Sequence, residues 1–181
     1  MTLGLILAAG ASRRMGHPKA LTRIQGMPAW ERIRSVLADC GASPVRIVLG
    51  EDAPRILAEG GFADVEVVVN RSPDRGRTGS IHCGLKGWEG DLLLWPVDHP
   101  MVRKETILAL LGAGRPDVVA TPLHQGEGGH PLWVSETLLE GILSLPEDTP
   151  LGEWVACQRR VRVAVDDPAI LLNLDSPASL P

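Results

Sequence analysis

Residues 5–20 hold the groups best suited to chemistry. Leu5-Ile6-Leu7-Ala8-Ala9-Gly10 closes an apolar run, and Ala11-Ser12-Arg13-Arg14-Met15-Gly16-His17-Pro18-Lys19-Ala20 follows as a small, basic loop. Small residues let a backbone come close to a ligand, and Gly10 and Gly16 can take dihedrals that other residues avoid. Arg13, Arg14 and Lys19 set three cations around exposed amides, which is what a polyphosphate needs. A solvated basic loop is the plainer alternative, but strand end, glycines and ordered cations coincide here and favour a phosphate site. Two better-known phosphate loops are excluded by spacing. Met15-Gly16-His17 stands where Gly-x-x-x-x-Gly-Lys-Ser/Thr would need Gly-Lys, and no Gly-x-Gly-x-x-Gly opens a helix after the first apolar run.

Further along, Trp95-Pro96-Val97-Asp98-His99-Pro100 places a carboxylate between two prolines at the end of another apolar run. A rigid carboxylate of this kind suits Mg²⁺ held jointly with substrate phosphates; capping of the next helix is an equal alternative. Leu171-Leu172-Asn173-Leu174-Asp175-Ser176-Pro177 presents a second one. Alone, Asp175 reads as a terminal cap; with Asp98 it would complete a two-carboxylate metal clamp. Asn70 to Gly79 leads into a helix expected from near Ser80, where Gly, Ser and Thr offer amides and hydroxyls to an anion or to base edges, or serve as ordinary caps. Gly126-Glu127-Gly128-Gly129-His130-Pro131 could turn His130 toward a second substrate, although a lone His after glycines is more often exposed. His99 is second to the carboxylate or structural. Cys83, Trp88, Trp133 and Trp154 read as packing, and His17, His82 and His124 as surface or loop residues.

These groups need a frame that gathers strand ends. Leu3 to Ala8, Val45 to Gly50, Val65 to Val69, Leu92 to Val97 and Val118 to Thr121 read as strands, apolar enough for burial on both faces. Pro28 to Cys40, Ala53 to Glu59, Ser80 to Trp88 and Lys104 to Leu111 have helical spacing. Pro131 to Val134 and Val161 to Val165 read as further strands, and Glu136 to Leu143 as a helix. Alternating strand and helix give a doubly wound α/β sheet, which binds ligands beyond the carboxyl ends of its strands. The basic loop, the Asn70 segment and Asp98 lie just after such strands.

The 181 residues suit one domain, 1–181, and the net charge of −4 argues against nucleic acid as the main partner. Positive charge is local, in the first loop and at Arg71, Arg75 and Arg77, as a small anionic ligand would require. Cys40, Cys83 and Cys157 are scattered, so neither a disulfide frame nor a zinc site follows. No leader or apolar run near the ~20 residues of a membrane span is seen, and a cytoplasmic setting without membrane contact is expected.

In order, Leu7 to Gly16, Pro18-Lys19, Gln25-Gly26-Met27-Pro28, Thr78-Gly79-Ser80 with Gly84-Leu85, Pro96 to Pro100, Gly129-His130-Pro131 and Asn173 to Pro177 resemble the MobA-like nucleotidyltransferases. Within them the resemblance is to the molybdenum cofactor cytidylyltransferase-like branch. It implies a Rossmann-like three-layer sandwich with a mostly parallel mixed sheet, of the nucleotide-diphospho-sugar transferase type. It also implies Mg²⁺-dependent transfer of a nucleoside monophosphate, CMP favoured, from an NTP to a phosphorylated acceptor such as molybdopterin, releasing pyrophosphate. A molybdoenzyme is an implied protein partner. The nucleotide would lie along Leu7, Ala8, Ala9, Gly10 and Ser12. Arg14 and Lys19 would bind its phosphates, Asn70 and Ser80 its nucleoside, and Asp98 and Asp175 the metal. Arg14, Lys19 and Asp98 would carry the chemistry, with His130 and Arg77 on the acceptor side. Guanylyl-transferring relatives read Leu-Ala-Gly-Gly where this chain has Leu7-Ala8-Ala9-Gly10, which tilts the base toward cytosine. The segment 148–154 departs from the Gly-Asp-x-Gly-Ala-Arg-like pattern of relatives and lacks its basic residue. A sugar- or polyol-phosphate nucleotidyltransferase and a non-catalytic nucleotide or cofactor binder of the same fold are the alternatives.

Overall fold

The protein is described by a computed structural model covering residues 1–10 and 16–174. Its centre is β1 (Thr2–Ala8), whose alternating side chains feed two cores. Leu3, Leu5 and Leu7 face one core and Ile6 and Ala8 the other, the period-two consequence of a pleated strand buried on both sides.

The short hairpin β2 (Arg23–Ile24) and β3 (Met27–Pro28) precedes α1 (Ala29–Asp39). Then come β4 (Val45–Leu49), α2 (Ala53–Leu57), β5 (Glu66–Val69), α3 (Arg77–Leu85), β6 (Asp91–Pro96) and α4 (Lys104–Ala113). The remainder is β7 (Val119–His124), β8 (Glu127–Gly128), β9 (Leu132–Val134), α5 (Leu139–Leu143), α6 (Leu151–Ala156) and β10 (Arg160–Ala164). The sheet runs β10-β7-β9-β6-β1-β4-β5, with β8 paired to β7. Strands β1, β4, β5 and β6 are mutually parallel, and β10 is parallel to β7; β9 runs antiparallel to both its neighbours. This is the expected three-layer α/β sandwich. Trp30, Ile33 and Leu37 of α1 and Ile107 and Leu110 of α4 close one face; Ile81 and Leu85 of α3, Ile142 of α5, and Leu151 and Val155 of α6 close the other.

Strand β1 is flanked by β4 and by β6, reached by crossovers on opposite faces. The resulting switch point opens a crevice beyond the carboxyl ends of β1 and β6. There the pairing is extended by Val97 N–H donating to the Leu7 carbonyl at 3.0 Å.

Two local expectations need correction. Helix α3 begins at Arg77, three residues before Ser80, because Gly76 (φ 126°) turns the chain into it. A Cβ on Gly76 would stand 2.5 Å from the Glu147 carbonyl oxygen, so no other residue fits that approach. The second is α6, which the Pro- and Gly-containing segment 148–154 did not signal; burial of Leu151 and Val155 against the second core makes the helix. Among the described residues no helix is long and apolar enough to cross a membrane.

Candidate active site

Two cavities occupy the crevice. The first, of about 190 Å³, is bounded by Leu7, Ala8, Ala9 and Gly10, by Lys19, by Pro73, Arg77 and Ser80, and by Pro96 and Asp98. The second, of about 600 Å³, lies over β6, β9 and β7 and is lined by His130, Thr121, Leu132, Leu151 and Val155 among others. Leu7, Arg77 and Pro96 belong to both, so the cavities meet there.

Asp98 sits in the turn after β6, closed by the His99 N–H donating to the Pro96 carbonyl at 3.2 Å and anchored by Trp95 Nε1 donating to the His99 carbonyl at 3.0 Å. Its side chain is 14% exposed and Lys19 Nζ lies 3.8 Å from Oδ2. Oδ1 is buried and accepts no hydrogen bond from a described residue. His99 Nε2 is 3.7 Å away, too far for one. The alternative role as a helix cap is therefore excluded. The start of α4 is held instead by Asp167, which accepts from the Arg103 N–H at 2.8 Å and the Thr106 hydroxyl at 2.7 Å. A carboxylate oxygen left without donors beside a phosphate-sized cavity has the chemistry of a hard-cation ligand, and the site fits Mg²⁺ in that respect. The Leu174 N–H donates to the Asp98 carbonyl at 2.8 Å, tying the chain just before Asp175 to the same turn. Asp175 itself, like Ser12 and Arg14, lies outside the described residues.

Ser80 and Asn70 meet as expected. Both are buried; Asn70 Nδ2 donates to Ser80 Oγ at 3.0 Å, while Asn70 Oδ1 accepts from the Ser72 N–H at 2.9 Å. With its oxygen receiving that bond, the Ser80 hydroxyl is left as a donor toward the first cavity. Two other polar groups of this helix start are not available to a ligand. The Thr78 hydroxyl donates to the Thr149 carbonyl at 2.6 Å and the Gly79 N–H to the Glu147 carbonyl at 3.2 Å. They are consumed in pinning the loop ahead of α6.

His130 lines the second cavity and is not the exposed loop residue of the alternative reading. Its ring lies 4.9 Å from that of His99, tilted by 53°. Gly129 makes this possible: a Cβ there would meet the Ile170 carbonyl oxygen at 2.3 Å, and the His130 N–H donates to that same carbonyl. Burial first, then the neighbouring His99 and Arg77, push His130 down to about 4. Burial also lowers His99, against the pull of Asp98. Two imidazoles whose charged forms are disfavoured thus stand beside Asp98 without adding positive charge. His82, expected at the surface, is half-buried and bonds to the Ile142 carbonyl through Nε2 at 2.8 Å.

Fold and site together define a three-layer α/β protein with two cavities joined at the switch point. The chain belongs to the MobA-like NTP transferase domain family, whose sequence profile matches residues 4–163. It is similar to the bifunctional protein GlmU of Anaeromyxobacter dehalogenans, with 32% identity over 120 residues, covering 61% of this chain and 24% of that protein. It therefore spans about a quarter of that relative's length. It is also 30% identical over 119 residues to the molybdenum cofactor guanylyltransferase of Xanthomonas euvesicatoria, covering 65% of this chain and 57% of the relative. In structure it is similar to Rv0371c of Mycobacterium tuberculosis, with a TM-score of 0.85, 24% identity, and coverage of 98% of this chain and 94% of that one.

Proposed function

We propose that this chain transfers a nucleoside monophosphate from an NTP to a phosphorylated acceptor and releases pyrophosphate. The observation that carries the reading is the meeting of the two cavities at Leu7, Arg77 and Pro96, directly beside Lys19 and Asp98. The NTP would occupy the first cavity, its base and ribose against Leu7 to Gly10 and the donor hydroxyl of Ser80. Arg14 and Lys19 would bind the phosphates, with Lys19 offsetting charge at the α-phosphorus. The acceptor phosphate would enter from the second cavity past Arg77. Its oxygen is already ionised and needs little base help, so positioning and electrostatics supply most of the rate. Mg²⁺, held by Asp98 and Asp175, would neutralise phosphate charge.

CTP is the favoured donor on the tilt that the resemblance gives Ala9, which is buried at the wall of the first cavity. Molybdopterin is the favoured acceptor on the family resemblance, and Leu94, Leu132, Leu151 and Val155 give the second cavity an apolar lining suited to a ring system. Pyrophosphate release should be measured with Mg²⁺ and each of CTP, GTP, ATP and UTP, with and without molybdopterin. Release with CTP and molybdopterin together is expected. Release with another nucleotide would move the base preference, and none from any pair would sink the enzyme reading.

A further inference from the structure

Strand β10 is the edge of the sheet, and its two faces differ. Val161 and Val163 pack toward the first core, whereas Arg160 and Arg162 point to the other face and line the second cavity. Strand register shows what they continue. Leu92, Val134, Val119 and Arg160 form one row across β6, β9, β7 and β10. Leu94 pairs with Leu132, and Thr121 with Arg162, in the next. Both rows begin in the apolar second core and end in a guanidinium. Three strand spacings of about 4.8 Å separate β6 from β10, so the arginines lie roughly 14 Å across the sheet from Pro96.

Charges on an edge strand also serve to discourage pairing with another sheet. That role is indifferent to sign. Here the cavity lining includes Arg77, Arg160 and Arg162 and neither an Asp nor a Glu, in a chain whose net charge is −4. No side-chain hydrogen bond or ion pair joins any of the three guanidiniums to a described residue. The loop and helix that roof the cavity, at Pro150, Leu151 and Gly152, contribute no charge.

We infer that the second cavity takes a ligand with two separated anionic groups joined by an apolar or flat body. One anion lies at Arg77, at the junction with the nucleotide cavity, and the other is gripped between Arg160 and Arg162. Their Cα atoms are about 6.6 Å apart along the strand, close enough for both guanidiniums to converge on one phosphate or carboxylate. The inference rests on the proposed transfer reaction only for the statement that this ligand is the acceptor. It makes the acceptor anionic at both ends, with the reacting phosphate at one of them, which would replace molybdopterin, whose pterin end is uncharged, as the favoured acceptor.

Alkane α,ω-bisphosphates with roughly 8–14 Å between phosphorus atoms, and alkyl monophosphates of equal chain length, can be titrated into the protein by calorimetry. The wild type should bind the best bisphosphate about tenfold or more tighter than its monophosphate. The double variant Arg160→Ala/Arg162→Ala should lose that preference, and Arg160→Lys/Arg162→Lys should keep part of it. A wild type without preference, or a preference surviving in the alanine variant, overturns the inference. Titration with MgCTP tests the proposed function separately. No CTP binding with the bisphosphate preference intact would remove the nucleotide reading and leave the dianion site standing.

Discussion

Asp98 and Asp167 are both carboxylates in turns after strands, and they are solved in opposite ways. Asp167 is 2% exposed and saturated: Arg103 N–H and the Thr106 hydroxyl bond one oxygen, and the Ala169 N–H bonds the other at 3.1 Å. Asp98 is nearly as secluded, yet one oxygen has no donor among the described residues and the other has only Lys19 at 3.8 Å. A buried carboxylate with full hydrogen bonding stabilises a fold, whereas one without it costs the fold and is retained for what it binds. The first carboxylate therefore belongs to architecture and the second to chemistry.

The strongest way to break this contrast is to neutralise each in turn. Asp98→Asn should lower pyrophosphate release by roughly 10²–10³-fold while thermal stability stays equal to the wild type or rises. A large fall in Tm with turnover retained would reverse its assignment. Asp167→Ala should do the opposite. Loss of its three hydrogen bonds, leaving Arg103 N–H and Thr106 unpaired, should cost on the order of 3 kcal/mol and lower Tm by roughly 6–12 °C. NTP affinity at a temperature where the variant is folded should be little changed.

How far each carboxylate was legible in the sequence follows from where its partners lie. Asp98 stands between prolines after an apolar run, and Lys19 follows the loop after the first strand; both signals are local. The same locality made the strands readable and put Asn70 and Ser80 in one site. Asp167 gave no such signal, since its partners Arg103 and Thr106 are some sixty residues away. His130 could be offered to the acceptor side only against the alternative of an exposed loop residue, because the reason for its burial, the Gly129 approach to Ile170, is a tertiary contact. Arg160 and Arg162 look like ordinary edge-strand charges until the register sets them at the end of the Leu94 and Leu132 face. Propensity did not announce α6, whose Pro150, Gly152 and Trp154 are outweighed by the burial of Leu151 and Val155.

Acid sharpens the comparison next, because the wall beside Asp98 is made of neutral imidazoles. Folded His130 titrates at about 4 and an unfolded histidine near 6.5, so the unfolded chain binds the proton more tightly. Its contribution to stability is complete above the unfolded value and is lost as pH falls from there toward 4. The loss should approach, and not exceed, about 3 kcal/mol. Urea denaturation between about pH 7 and pH 4 should show it, and His130→Asn should flatten that limb. A limb unchanged in the variant would mean that the ring titrates alike in the folded and unfolded chain, so that burial does not hold it neutral beside Asp98.

The smallest effect belongs to a third carboxylate, which separates partnership from burial. Asp64 meets Arg34 at 2.6 Å, closer than either contact of Asp98, but its side chain is 63% exposed. If a partner alone made a carboxylate structural, Asp64→Asn would resemble Asp167→Ala. Solvent screens an exposed pair, however, and ordering the two side chains offsets much of the attraction, so the change should be about 0–1 kcal/mol and should shrink further in high salt. Chemical denaturation at low and high ionic strength measures it. A loss comparable to that of Asp167→Ala would show that burial is not what distinguishes these carboxylates. The unsatisfied oxygen of Asp98 would then have to be explained by its partners alone.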